Sequence, residues 1–275
     1  MIARLAVLCA ALWAFCMPLG AQEARETQLR ELFEVLDVKG TVAVMQAEGA
    51  IYGAEIAEEM LPDADQKGWE RTVARIYSPD RMQRLVEAEL GKALEGTDLD
   101  PLLTFFGSDL GANVIALELA ARRALMDPEI EEAAMVRSAR LRASEDPVVG
   151  PIEMIITEGD LIELNVAGAL NSNMMFLRGL VDGGAFEMTE DDILRDVWAQ
   201  EEESRAETED WLHAFLLLAY DPLSFDDLAA YAALYRSPEG QALNMALFTS
   251  YNRMYDELSY LLGQAVAAHM NSEPL

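Results

Sequence analysis

Residues 223–240 read LSFDDLAAYAALYRSPEG, one short helix, a joint and the start of the next. Asp226-Asp227-Leu228 opens a helix, Leu234-Tyr235 closes it, and Ser237-Pro238-Glu239-Gly240 starts another. A serine before a proline is a helix-start signal: the hydroxyl caps an unpaired backbone N–H, and proline lacks the N–H that would have no partner there. Gly240 then falls in the first turn, where glycine costs about 1 kcal/mol relative to alanine. Its presence predicts a close approach that leaves no room for a Cβ.

The same stretch has a counterpart 129 positions earlier, LEGTDLDPLLTFFGSDLG at 94–111. Leu94 meets Leu223, Asp98 meets Asp227, Leu99 meets Leu228, Ser108 meets Ser237 and Gly111 meets Gly240, while Phe106 meets Tyr235. The shared residues are punctuation, so the unit is a helical hairpin used twice. Tyr235, Arg236, Pro238 and Glu239 belong to the second copy alone, and any site at the hairpin has to lie there.

Outward from this joint the apolar spacing is three and four almost throughout, which predicts an all-α protein. Helices are expected over 26–37, 41–60, 66–76, 79–94, 97–106, 109–126, 128–143, 158–181, 189–203, 205–219, 224–235 and 238–269. Ser78-Pro79 and Asp127-Pro128 repeat the start signal of Ser237-Pro238. EDPVVGPIEMIIT, from Glu145 to Thr157, is the least helical stretch and could hold a short strand. The expected architecture is a helical bundle of two pseudo-repeated halves of antiparallel helices, 22–146 and 158–275, connected by 147–157. In the last helix Phe248, Tyr251, Tyr255, Leu258, Leu262 and Ala265 form one stripe, expected to face the core.

The motif in SFDDLAAYAALYRSPEGQALNMAL, Ser224 to Leu247, resembles the exported bacterial helical family known as domain of unknown function 2059. The first copy departs from it, with Gly107 before the serine and Asp109 in place of the proline. The resemblance implies a periplasmic, all-helical protein and brings no activity with it.

The N-terminus, MIARLAVLCAALWAFCMPLGAQEARE, has one basic residue, an apolar run from Leu5 to Phe15, a Pro-Leu-Gly break and a polar continuation. This is the layout of a secretory signal over residues 1–21, with cleavage expected after Ala21 and a periplasmic or secreted destination. The run is short of the roughly 20 residues a membrane span needs. Cys9 and Cys16 both lie in the segment expected to be removed, so the mature chain is expected to lack cysteine, and with it disulfides and thiolate chemistry. The chain carries 49 acidic residues against 20 basic ones, a net charge of −29. Nucleic acid and anionic membrane surfaces repel such a protein. Glu190 to Asp210 is the densest acidic run, ten acids against Arg195 and Arg205.

Of the chemistries tested against the sequence, few find a residue set. His213 follows Glu209 and Asp210 by four and three positions, so a carboxylate and an imidazole could share a helix face, but no second histidine stands near. A partly exposed helix histidine is expected instead. His269 falls in the last turn of the final helix, where the dipole favours a cation. Asp63, Asp65 and Gly68 begin like a calcium loop, but Lys67 and Ala74 occupy positions that need oxygen ligands. No glycine-rich phosphate loop, G-x-S-x-G or H-E-x-x-H occurs. Asp98 and Asp227 recur in both copies, yet each opens a helix and reads first as a cap.

The sequence therefore predicts an exported helical protein acting by binding, as an accessory of the cell envelope, more than as an enzyme. No cofactor or metal is expected, and the partner is an envelope protein or ligand. Tyr231, Tyr235, Arg236 and Glu239 are the expected contact residues; Asp98, Ser108, Gly111, Asp227, Ser237, Pro238 and Gly240 are expected to be structural. Two alternatives stand beside this reading: a carboxylate-based hydrolase of envelope polymers, and weak divalent-cation binding by Glu201, Glu202 and Glu203.

Overall fold

The computed structural model describes residues 19–62 and 65–271, so most of the expected leader lies outside the described residues. Among these residues thirteen α-helices form and no strand does. They are α1 (Leu19–Val35), α2 (Val38–Met60), α3 (Gln66–Ile76), α4 (Pro79–Ala93), α5 (Asp100–Phe106), α6 (Asp109–Ala124) and α7 (Pro128–Ala143). After these come α8 (Val149–Glu158), α9 (Leu161–Asp182), α10 (Glu190–Trp198), α11 (Glu201–Ala219), α12 (Phe225–Arg236) and α13 (Pro238–Met270).

Two expectations fail locally. The stretch read as a connection or strand is helix α8. Gly150 and Pro151 both sit in its first turn, where a missing N–H costs nothing. The residues that turn the chain are Glu145 and Asp160, each with positive φ, one on either side of the helix. Likewise the acidic run breaks between Trp198 and Glu201, earlier than expected. Of the three cap-before-proline signals, Asp127 and Ser237 accept hydrogen bonds from the first turn, whereas the Ser78 side chain does not.

The two joints are built alike. Ser108 donates to the Phe105 carbonyl at 2.6 Å and accepts from Gly111 N–H at 3.1 Å. Ser237 donates to the Leu234 carbonyl at 2.7 Å and accepts from Gly240 N–H at 3.0 Å. A Cβ on Gly111 would overlap the Phe105 carbonyl oxygen, and one on Gly240 that of Leu234. The two glycines therefore let each new helix start directly against the last carbonyls of the one before.

The most extensive helix pair is α9 with α13. Gly159 meets Asn244, Gly168 meets Asn252, Gly179 meets Gly263 and Gly183 meets Ala267, so the two helices run parallel over their length. This departs from the antiparallel pairing expected; α2 with α3 and α7 with α11 do run antiparallel, judged by Gly49–Tyr77 with Gly53–Val73, and by Arg142–Glu209 with Arg137–Leu217. Gly168 and Gly179 are three helical turns apart and hence on one face. At the crossing a Cβ on Gly179 would overlap the Tyr260 carbonyl oxygen, and one on Gly263 that of Phe176. Backbone meets backbone there, and neither side can yield.

Around this pair α13 also packs on α4, α3 and α12, and α11 packs on α7, α9 and α6. One apolar cluster consequently runs through both expected halves, from Leu32, Val42, Trp69 and Leu90 to Ile152, Leu216, Leu228 and Leu262. Smaller clusters join α9 to α10 through Val166, Leu170, Ile193 and Val197, and α7 to α11 through Ala134 and Ala214. No single helix among the described residues is long and apolar enough to cross a membrane.

Gly263→Leu is expected to lower unfolding free energy by about 3 kcal/mol or more, since overpacking here displaces backbone. Gly91→Ala, whose new methyl would meet only Leu29 at an ordinary 3.6 Å, should be neutral or stabilising by up to about 1 kcal/mol. Urea unfolding followed by circular dichroism compares the two.

Candidate functional site

Where α6 faces α11, α12 and α13 the helices frame an open-sided chamber of about 340 Å³. Helical spacing puts Ile115, Glu118, Leu119 and Arg122 of α6 on its wall, and Asn244, Phe248, Tyr251 and Tyr255 of α13 on another. Trp211, Phe215 and Leu216 of α11, with Met45 of α2, complete most of the apolar lining. The stripe on α13 thus divides: Leu258 and Leu262 are packed core, while Phe248, Tyr251 and Tyr255 keep surface that faces this space.

Glu118 is the polar centre. Its Oε1 accepts the hydroxyl of Tyr220 at 2.5 Å and that of Tyr231 at 2.9 Å. Oε2 has no hydrogen-bond partner and Glu118 no ion pair among the described residues. Burial pushes the Glu118 carboxyl up from its ordinary range, against the opposing pull of the two hydroxyls. The phenols respond in turn: burial first, and then the charge on Glu118, drive Tyr220, Tyr231 and Tyr235 upward. Tyr231 stacks on Phe105 with centroids 5.7 Å apart and meets Tyr220 and Tyr235 edge-on at 5.6 and 5.4 Å. Burial also pushes Tyr251 up to about 12.

One turn beyond Glu118, Arg122 holds Glu48 of α2 with two hydrogen bonds, 2.6 and 2.8 Å, and reaches Tyr255 Oη at 3.3 Å. Burial works against the guanidinium, but Tyr255 and Glu48 hold it charged. This ion pair stands between the chamber and a second cavity of about 290 Å³, lined by Glu48, Tyr52, Tyr77 and Phe176. Met45 and Tyr255 border both spaces.

The residues expected at a binding site are separated. Tyr231 is buried beneath the chamber as a Glu118 ligand and Tyr235 lines it, whereas Arg236 is exposed on the outer side and Glu239 lies in the first turn of α13. Asp98 accepts from Asp100 N–H and Asp227 from the Ser224 hydroxyl; both are at helix starts and lie off the chamber and its neighbouring cavity. Pro238 occupies the first position of α13. His213 differs from the partly exposed residue expected: it is 1% exposed, with Nδ1 on the Glu209 carbonyl at 2.7 Å and Nε2 on Glu153 at 2.8 Å. The side chains of Glu209 and Asp210 turn instead to Arg142. His269 bonds the Ala265 carbonyl and meets the edge of Trp69 at 5.2 Å. Glu201 pairs with Arg205. In the calcium-like stretch Asp63 lies outside the described residues, and Gly68 is already inside α3.

Glu118, Arg122, Glu48, Tyr220 and Tyr255 were missed by the sequence reading. A signal existed: Glu48 in VAVMQAEGAIYG and Glu118 in NVIALELAA are lone carboxylates in apolar helical runs. A charge so placed must find a buried partner.

Fold and site together define an all-helical protein with an open-sided, aromatic-walled chamber between its helices. The segment 80–139, from α4 to α7, matches the family described as "Uncharacterized protein conserved in bacteria (DUF2059)". The family is the one the sequence resembled, and the matched segment holds the first joint with Glu118 and Arg122, not the Ser224–Leu247 copy from which the resemblance was read. No curated protein and no solved structure matches the chain.

A carboxyl raised in the folded state keeps its proton to higher pH than in the unfolded chain. Its contribution to stability is complete below the ordinary glutamate range, about pH 4.3, and is lost as pH rises through the raised value. Glu118→Gln removes that dependence. The variant is expected to gain on the parent steadily from acid to neutral pH, read as the difference in urea midpoint at each pH.

Proposed function

We propose that this is an exported, non-enzymatic binding protein of the bacterial cell envelope that carries a small, mainly apolar molecule in the α6–α11–α13 chamber. The carrying observation is the chamber itself: it has the size of small-molecule sites, a mostly apolar and aromatic wall, and a few convergent polar groups. Export rests on the leader-like layout of residues 1–21, and a periplasmic address on the resemblance of the helical motif. The acidic surface keeps the protein away from nucleic acid and anionic lipid.

Nile red, a neutral apolar fluorophore, is expected to bind saturably and to quench Trp211 emission. Ile115→Trp, which fills the chamber from α6, should weaken that binding about tenfold or more while far-UV circular dichroism stays unchanged. Unaltered binding in a folded Ile115→Trp protein would move the site elsewhere. Export has its own measurement: N-terminal sequencing of protein from the periplasmic fraction should begin at Gln22, and protein retained in the cytoplasm with Met1 intact would contradict it.

A further inference from the structure

The chamber is apolar on most sides but is not electrically neutral. Arg122 is engaged on two nitrogens by Glu48, so its charge is already balanced. Glu118 has two tyrosine donors on Oε1, no donor on Oε2 and no basic partner among the described residues. Counting Arg122, Glu48 and Glu118 together, the ionised site carries one uncompensated negative charge. Oε2 is not sealed inside the protein but opens on the chamber, so a cationic donor entering there meets a free carboxylate oxygen.

The walls select the same kind of guest. Trp211 and Phe215, both on the lining, are stacked with centroids 5.2 Å apart and planes within 7°, and Tyr235, Phe248, Tyr251 and Tyr255 add further rings. Aromatic faces are negative at their centres and attract ammonium groups, most strongly where water is excluded. The net charge of −29 raises the concentration of cations around the whole molecule. An anionic guest meets the opposite conditions: it would have to approach Glu118, and the guanidinium that could receive it is already held. A neutral apolar guest would leave Oε2 unpaired.

We propose that the chamber recognises a small organic ammonium ion with an aromatic or apolar body, its N–H donating to Oε2 of Glu118 and its charge resting against the aromatic wall. This rests on the reading of the chamber as the ligand site and specifies the guest's chemistry. Glu118 is the specificity-determining residue; Tyr220 and Tyr231 are positioning residues that fix its other oxygen.

The test is a ladder of three isosteric probes on the full chain: phenethylamine, phenethyl alcohol and phenylacetate, each titrated calorimetrically and by displacement of Nile red. The amine is expected to bind about tenfold tighter than the alcohol, as a buried charged hydrogen bond with cation–π support should. Phenylacetate should bind most weakly, and the amine preference should persist at high salt. Glu118→Gln should abolish the preference while alcohol binding remains. Trp211→Leu, which keeps an apolar wall but removes the π face, should weaken the amine more than the alcohol and serves equally if the Gln variant does not fold. Equal binding of amine and alcohol, or an amine preference untouched by both substitutions, overturns the charge recognition while Nile red binding leaves the chamber reading standing. Failure of Nile red and all three probes to bind the parent overturns both.

Discussion

The contact on which the rest of the molecule depends is the meeting of Gly179 and Gly263. Where these residues touch, two helix backbones approach with no side chain between them, and the axial separation of α9 and α13 is fixed by peptide groups. Packing of side chains can be renegotiated by rotamer changes, but a carbonyl oxygen against a Cα cannot. The parallel register of the pair follows, repeated at Gly168–Asn252 and Gly183–Ala267. Because α13 also carries one wall of the chamber and packs on α3, α4 and α12, the placement of that wall is set by a contact remote from it.

At the chamber the balance of forces is different. Five tyrosines, two carboxylates and one arginine sit in or against a space that an apolar core could have filled. Buried ionic groups of this kind stabilise little once their desolvation is counted. Arg122, Glu48 and Tyr255 form a satisfied set, with every strong contact short and partly shielded from water. Glu118 is satisfied on one oxygen only. The asymmetry between these neighbouring acids, one neutralised and one not, is what gives the site a direction.

Much of the fold was legible because its determinants are local. Cap-proline pairs at Asp127 and Ser237, the repeated serine and glycine of the two joints, and the three-four spacing of apolar residues all act within a turn or two of chain. α8 was misread since Gly150 and Pro151 disfavour a helix interior but not its first turn, and which of these holds depends on where Glu145 bends the chain. The parallel α9–α13 pairing was not legible at all: Gly168, Gly179 and Gly183 mark a close approach without naming the helix that makes it. The site was half visible. Tyr231 and Tyr235 came into view through the second hairpin, but Glu118, which accepts from Tyr231, lies more than a hundred residues earlier, and only its isolation in an apolar run hinted at burial.

The seating of α13 on α3 and α4 also sets the order in which this chain can acquire its structure. Arg81 and Glu257 pair across 176 residues, and Val86 and Leu90 are buried in a core to which the last helix contributes Leu258, Leu262 and Val266. A chain emerging N-terminus first presents α2 to α6 long before α13 exists to cover them. Helices form in about a microsecond, but closure of loops this long is slow and leaves apolar surface open meanwhile. The last thirty-odd residues are thus core as well as a wall of the chamber, and a chain truncated before Pro238 loses the buried face of Leu243, Met254, Leu258, Leu262 and Val266 together.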